Sequence, residues 1–237
     1  MDSLLSSTIS PFTLLLDGTC GPVDAYFLLY HHLSMGLSRG SRTALLATCQ
    51  LASHHRAVLR KLLGPDRSGN VSIVCIWEVC KRLGASMGDA SIETEALGRA
   101  LLGAAFGGAE SGGSAPLCLC IESVQGVCEA AGVALEGLRV LEYLSSAIRN
   151  EGALLMRADP GCDWQVDPTG LPIAPSLCSA LEDLSSVVVF AKDLPTGYSK
   201  DAHGRLEVWR RGEGGGLAGG LVYRVLPEGG VKEASVI

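Results

Sequence analysis

The sequence lacks the features that would place it in several common classes of protein. No lysine or arginine precedes Arg39, so the chain starts with neither the basic region of a secretory signal nor the arginine-rich face of a transit peptide. No apolar run approaches the length of a membrane span. The nine cysteines include no C-x-x-C pair, the spacing typical of zinc sites. We therefore predict a soluble intracellular protein with no metal site and no membrane partner.

Positive charge is also scarce overall. The formal net charge is −6, which argues against a surface that binds nucleic acid through a dominant basic field, so any RNA role is local or shared. Apolar residues make up 47 %, a high share for a free monomer, and this favours surface that another subunit covers. The cysteines lie mostly in apolar runs such as LCLCI, which indicates small buried side chains in a reducing compartment.

Strand and helix patterns alternate through most of the 237 residues. Strands are predicted at 13–16, 43–47, 71–77, 117–121, 153–156 and 186–191, and helices at 24–38, 53–63 with Ser53 as cap, 92–102, 134–149 and 176–184. The segments 103–115 and 212–220 are rich in small residues and indicate loops. Short alternating segments at 205–211, 221–226 and 231–237 predict antiparallel strands. The pattern predicts one α/β domain over 1–237, with a mostly parallel core at about 11–192 and a C-terminal β-meander at about 193–237.

The first predicted strand is followed by DGTCGPVD and a helix, the layout in which parallel-sheet proteins present a phosphate-binding loop. A loop of the G-x-x-x-x-G-K-[ST] type needs a lysine for the phosphate charge and a hydroxyl for magnesium. Here Asp17, Gly18, Gly21 and Asp24 form a degenerate version, in which Asp24 would repel phosphate. Loss of one charge-assisted contact costs roughly 1.5 to 3 kcal/mol. We predict that this chain does not bind ATP by itself.

The other half of an NTPase site would be a carboxylate at the end of a central strand. Glu122 follows LCLCI directly and is the candidate for a degenerate Walker-B-like position. Such an acid is more often a solvated turn residue, and we favour that interpretation. The layout is that of an NTPase core without its catalytic parts, so we predict a pseudo-enzyme with no catalytic residues and no cofactor.

Two histidine pairs could suggest a metal site. His31 and His32 are adjacent in one predicted helix, and His54 and His55 in another. Because neighbours in a helix diverge by roughly 100 degrees, neither pair converges on one ion, and we interpret all four as helix-surface side chains.

Between residues 187 and 211 the chain reads VVVFAKDLPTGYSKDAHGRLEVWRR, which predicts a strand, a turn and a returning strand that ends in paired cations. The pattern L-x-T-G-x-x-x-D-x-H-G-x-L followed by W-R-R resembles the corresponding segment of the sixth-subunit family of Elongator, the complex that modifies wobble uridines of tRNA. The matching residues are Leu194, Thr196, Gly197, Asp201, His203, Gly204, Leu206, Trp209, Arg210 and Arg211.

The resemblance implies a RecA-like P-loop NTPase fold with a degenerate phosphate loop. It also implies a hexameric ring, built from two copies each of this subunit and of two paralogous RecA-like Elongator subunits. The ring docks on the catalytic Elongator subcomplex, contacts tRNA and helps its release in an ATP-sensitive way. The implied location is the cytoplasm, with the nucleus as a second location.

The matching residues leave alternatives open. His203 is an interface or tRNA contact, or it bonds locally to Asp201 and shapes the hairpin. Trp209, with Arg210 and Arg211, stacks on a base or meets a carboxylate of a neighbouring subunit, or simply ends a solvated strand. The rival functions are a divergent NTPase or small kinase that binds nucleotide at the strand-end crevice, and a recombination-mediator-type paralogue outside Elongator.

Overall fold

The chain divides into two compact units. The computed structural model describes residues 12–18, 26–84, 93–107, 115–132, 134–148, 152–158, 180–194, 203–210, 216–225 and 231–236. One unit combines Met1–Leu29 with Arg157–Ile237 and is called the terminal unit; the other, Tyr30–Met156, is called the central unit. Helix α1, Tyr26–Ser38, and strand β5, Gly152–Ala158, each contribute residues to both. The prediction of a single domain stays a prediction.

The central unit alternates strands and helices. Its four strands are β2 Arg42–Ala47, β3 Val71–Cys75, β4 Leu117–Ile121 and β5. They follow the order β3-β2-β4-β5, and neighbouring strands pair in parallel. All five positions of β4 are buried, as expected of a strand covered on both faces. The helices described between α1 and β5 are α2 Ala52–Leu63, α3 Pro65–Ser68, α4 Ile76–Arg82, α5 Thr94–Phe106, α6 Val124–Ala130 and α7 Ala134–Ile148.

The terminal unit contains the antiparallel strands. Strand β1, Phe12–Gly18, pairs in parallel with β6, Val187–Lys192, and antiparallel pairings then join β6 to β7, Gly204–Arg210, β8, Gly216–Val225, and β9, Val231–Val236. Alternate residues of β6, β7 and β8 form a buried cluster with Leu15 and Leu28, against which Phe27 packs. The first turn of helix α1 therefore packs on one face of the meander, while the opposite face of β7 is half-exposed.

Several predicted elements are confirmed and others need correction. The parallel strands and the meander are confirmed, but Ser53 lies inside α2, whose N-cap is Leu51. The third strand ends at Cys75, because Ile76 begins a helix. The predicted loops are shorter: Gly103 to Phe106 continue α5, and β8 already begins at Gly216.

Other sequence expectations concern helices. The sequence places Cys128 in a helical pattern but gives no bounds for helix α6, because its seven residues, VQGVCEA, are too few to show a clear apolar stripe. Residues 180–184 are helical, whereas 176–179 lie outside the described residues. Within the described ranges, no helix is both long enough and apolar enough to cross a membrane.

Candidate functional site

Glu122 occupies the first position after β4, and its side chain is fully buried. It is followed by Ser123, whose hydroxyl caps α6 by accepting a hydrogen bond from the Gly126 N–H at 3.4 Å. Strand and capped helix therefore fix the backbone on both sides of the carboxylate. The preferred interpretation of Glu122 as a solvated turn residue is wrong, because the carboxylate points into the central unit and not into water.

Three consecutive backbone N–H groups bind the Glu122 carboxylate. The N–H groups of Thr48, Cys49 and Gln50, just after β2, donate to Oε2 at 2.7, 2.8 and 3.2 Å, and Gln50 also donates to Oε1 at 3.1 Å. Consecutive N–H groups that converge in this way form an anion-binding concavity. Here the occupant is a side chain of the same chain.

A second contact closes the site from helix α2. The Nε2 atom of His55 lies 3.4 Å from Oε1 of Glu122, and neither side chain is exposed. The Nδ1 atom of His55 lies 3.0 Å from the hydroxyl of Tyr30 on α1. This arrangement favours the tautomer in which Nε2–H faces the carboxylate and Nδ1 accepts from the tyrosine. Tyr30, His55 and Glu122 thus form a buried polar chain within the central unit.

The pKa of Glu122 reflects these contacts. Burial alone would raise the pKa, because it removes water from the charged form. The His55 contact and the three backbone N–H groups outweigh burial and lower the pKa to about 2. The carboxylate is therefore ionised at neutral pH, and its two oxygens are occupied by protein donors. A group bound in this way is poorly placed to hold a metal-bound water or a nucleotide magnesium.

Asp17, the first candidate of the degenerate phosphate loop, is also occupied. Its Oδ2 atom accepts hydrogen bonds from Nε and a terminal nitrogen of Arg157, both at 2.9 Å, and both side chains are largely buried. The Arg157 guanidinium lies over the Tyr26 ring, 4.3 Å from its centre. An ion pair of this kind anchors the end of β1 within the terminal unit. Gly18 ends β1, whereas Gly21 and Asp24 lie outside the described residues.

The residues of the family pattern fall partly on β7. The His203 N–H donates to the Tyr223 carbonyl at 2.8 Å, which fixes the start of the strand. Gly204 packs against the ring of Tyr223, and Leu206 is fully buried. These positions have a structural role inside the meander. Thr196, Gly197, Asp201 and Arg211 lie outside the described residues, so the bond from His203 to Asp201 stays a prediction.

The outward face of β7 carries both charge and apolar surface. Lys192 and Arg205 both contact Glu207, at 2.7 and 3.3 Å, and the Lys192 hydrogen bond is the main cause of the lowered pKa of Glu207. These two cations are therefore engaged locally. Trp209 is 41 % exposed, with its ring edge-on to Phe190. Trp209 and the exposed Arg210 remain the candidate contact residues of this strand.

The histidine prediction is wrong for two of the four residues. His32 and His55 are buried, because each falls on the inward side of its helix, while His54 is exposed. Among the residues that the structure describes, no group of three or more histidine, cysteine, aspartate or glutamate side chains could hold a metal ion.

The prediction of packed cysteines is confirmed for Cys80, Cys118, Cys120 and Cys128, whereas Cys49 is exposed and Cys178 lies outside the described residues. Cys118 and Cys120 occupy alternate positions of β4. A hydrogen bond from Cys120 lowers the pKa of the Cys118 thiol, and burial raises that of Cys120. Since both side chains are buried, neither thiol is exposed to solvent.

The sequence located Glu122 but not its binding partners. Nothing in the letters TCQ at 48–50 indicates a concavity of N–H groups, since this feature depends on the backbone path after β2. The pairing of Asp17 with Arg157 joins residues 140 positions apart and has no local signal either.

Comparison with known proteins gives one informative relative and a clear fold. No protein-family model matches the chain. The chain is 30 % identical to Elongator complex protein 6 of Danio rerio over an alignment of 237 residues, which covers 90 % of this chain and 87 % of that protein.

Two solved structures from Pyrococcus horikoshii are similar in fold. A KaiC-like protein has a TM-score of 0.56 at 13 % identity and covers 95 % of this chain and 91 % of its own. An uncharacterized protein, solved in complex with an unknown peptide, has a TM-score of 0.61 at 11 % identity, with 99 % and 96 % covered. At these identities the likeness shows the fold alone, and it confirms the predicted RecA-like α/β class.

Proposed function

This chain belongs to the Elongator complex protein 6 family, and from that premise we propose that it is a non-catalytic RecA-like subunit of an accessory hexameric ring. The ring combines two copies of this chain with two copies of each of two paralogous RecA-like subunits. It supports tRNA wobble-uridine modification by docking on the catalytic subcomplex and by binding and releasing tRNA.

The observation that carries the non-catalytic part is the engagement of Glu122. A strand-end carboxylate of an NTPase must hold a water or a magnesium ligand near the nucleotide. Glu122 is buried and both of its oxygens accept hydrogen bonds from the 48–50 backbone. Release of the carboxylate for catalysis would take this acceptor from three N–H groups, of which that of Thr48 is buried and those of Cys49 and Gln50 are partly buried. Glu122 therefore has a structural role in the central unit instead of a catalytic one.

Two further features support the same proposal. Asp17 is held by Arg157, so the acid at the end of β1 is committed to an internal ion pair. The sequence offers no lysine or arginine in residues 1–38, which include the whole degenerate phosphate loop. The phosphates of a nucleoside triphosphate would then be repelled by the carboxylate of Asp24, whereas a working phosphate loop provides a cation.

We expect the isolated chain to bind no ATP. In a calorimetric titration with ATP and magnesium up to about 1 mM, the heat should equal the heat of dilution, which limits any Kd to values weaker than about 1 mM. The missing cation and the occupied carboxylates are the physical reason. Saturable binding in the micromolar range would favour the divergent NTPase. A change of that affinity in an Asp24→Ala variant would then identify the degenerate phosphate loop as the binding site.

For assembly, we expect native mass spectrometry of the protein purified from its own cells to reveal a particle of six RecA-like subunits that contains this chain. Replacing Trp209 and Arg210 together by alanine should remove this chain from that particle, because an exposed aromatic beside a cation is a typical anchor of a protein interface. The domain itself should stay folded, since neither residue belongs to the buried cluster.

The matched control removes an exposed apolar side chain and an exposed cation elsewhere. Leu135→Ala with Lys81→Ala changes two exposed positions of the central unit and should leave the particle intact. Full incorporation of the Trp209/Arg210 variant would exclude β7 as the contact strand. A monomer or homo-oligomer from the native source would contradict the ring itself.

A further inference from the structure

Strand β3 has a free edge. It lies at the end of the order β3-β2-β4-β5, and among the described strands it pairs with β2 alone, in unbroken parallel register from Val71 to Cys75. Alternate N–H and C=O groups along its other side therefore have no strand partner in the described part of the chain. The strand reads VSIVC, without the charge, proline or bulge that usually protects an exposed edge. Such an edge is suited to pairing with another chain.

A cavity with a positive rim adjoins this edge. It has a volume of about 300 Å³ and is lined by Arg56 and Arg60 of α2 together with Ser72 and Ile73 of β3. The two arginines are one helical turn apart, so both reach the same side of α2. Both are exposed, and within the described residues neither guanidinium group forms an ion pair or a hydrogen bond. The edge of the sheet is thus flanked by two cations that lack an anion.

We propose that an extended segment of a partner protein, bearing two acidic side chains at alternate positions, adds to β3 as a further strand. Its backbone pairs with the free edge, and its carboxylates meet Arg56 and Arg60. The spacing fits this arrangement. Alternate side chains of a strand lie about 6.6 Å apart, and four residues of helix rise about 6 Å. This mode of recognition takes affinity from the backbone and specificity from the side chains.

The edge itself favours protein over RNA as the occupant. Nucleic-acid phosphates would neutralise the two arginines but would leave the row of backbone groups and the apolar side chains of β3 unused. A protein strand uses both features at once. The inference does not depend on the ring, because it rests on residues of the central unit alone.

The test uses the full chain and two labelled peptides of alternating sequence, one of valine and glutamate and one of valine and lysine. In fluorescence anisotropy, the glutamate peptide should bind saturably, and Arg56→Glu with Arg60→Glu should weaken it by roughly tenfold, because two exposed ion pairs are lost and replaced by repulsion. The lysine peptide should bind the charge-reversed variant more tightly than the original chain. Hydrogen exchange should become slower at alternate amides between Val71 and Cys75 when the glutamate peptide binds.

Lys61→Glu with Lys81→Glu is the matched control, because it makes the same change in net charge at exposed positions that do not line the cavity. It should leave binding of the glutamate peptide unchanged. If the charge-reversed variant fails to fold, Arg56→Gln with Arg60→Gln removes the two charges without reversal and should still weaken binding.

Three outcomes would overturn the inference. They are no saturable binding of the glutamate peptide, an affinity that does not change when Arg56 and Arg60 are replaced, or no slowing of hydrogen exchange in β3. Binding of a single-stranded RNA that depends on both arginines, without peptide binding, would assign the patch to nucleic acid instead.

Discussion

Replacing Glu122 by glutamine is expected to lower the free energy of unfolding by about 3 kcal/mol, one of the two largest effects that the structure indicates. The amide keeps the size of the side chain but loses the negative charge. Its NH₂ group also turns a donor toward the N–H groups of Thr48, Cys49 and Gln50, which already are donors. Urea unfolding followed by circular dichroism measures the loss. Glu129→Gln, an exposed position in the adjacent helix α6, is the control and should change stability little.

The pH dependence gives a second readout for the same variant. The pKa of Glu122 is lowered from its ordinary value to about 2 in the folded protein, so the unfolded chain binds this proton more readily. The resulting stability is fully present above about pH 4.3 and is lost as the pH falls toward 2. The difference between the original chain and Glu122→Gln should therefore shrink over that interval. A difference that stays constant with pH would show that the carboxylate is not held as described. The same conclusion would follow if Glu129→Gln lowered the free energy of unfolding at neutral pH as much as Glu122→Gln does.

Replacing Gly204 by alanine is expected to destabilise the terminal unit by about 1 to 3 kcal/mol. A β-carbon at this position would lie 2.6 Å from the Tyr223 hydroxyl oxygen and 2.8 Å from the ring carbon that carries it. Tyr223 is fully buried in the cluster beneath β7, so its ring has little room to move. Either the tyrosine or the strand must shift, and the pairing of β7 with β8 weakens. Thermal unfolding followed by near-ultraviolet circular dichroism measures both effects.

Gly103→Ala is the matched control for Gly204→Ala and should have the opposite sign. Gly103 lies inside α5, and an added β-carbon would meet no atom within 4 Å. Alanine in a helix interior is favoured over glycine by roughly 0.5 to 1 kcal/mol. If Gly204→Ala were as stable as the original chain, then the glycine of the H-G-x-L pattern would need an explanation other than packing.

The sequence predicted the fold well wherever one rule governs a segment. The apolar run LCLCI predicted a buried central strand, and the alternation in RLEVW predicted a strand with one buried face; both are confirmed. Boundaries failed where two rules compete. In VSIVCIW the apolar run continues past the strand, so nothing in the letters marks Ile76 as the start of a helix. Gly216 joins β8 because pairing with β7 outweighs the low strand preference of glycine.

The position of the candidate site was predictable from the sequence, but the burial and hydrogen bonding of its carboxylate were not. A carboxylate after a central strand pointed to Glu122, yet burial and bonding of that carboxylate depend on the path of residues 48–50, more than 70 positions earlier. His55 was misjudged for the same reason, since an adjacent pair of histidines does not reveal which one faces the core. Such facts belong to tertiary structure, and a single sequence carries no local signal for them.

The division of the terminal unit between the two ends of the chain has a consequence for synthesis. The Ser186 hydroxyl donates to the Phe12 carbonyl across 174 positions, and β1 pairs with β6 beside it. At 5 to 20 residues per second, a ribosome needs roughly 10 to 35 seconds to deliver the partner of β1. The central unit emerges complete within that interval, whereas the apolar β1 waits on the nascent chain. We expect molecular chaperones to hold this strand during translation, and the terminal unit to be the last part of the protein to fold.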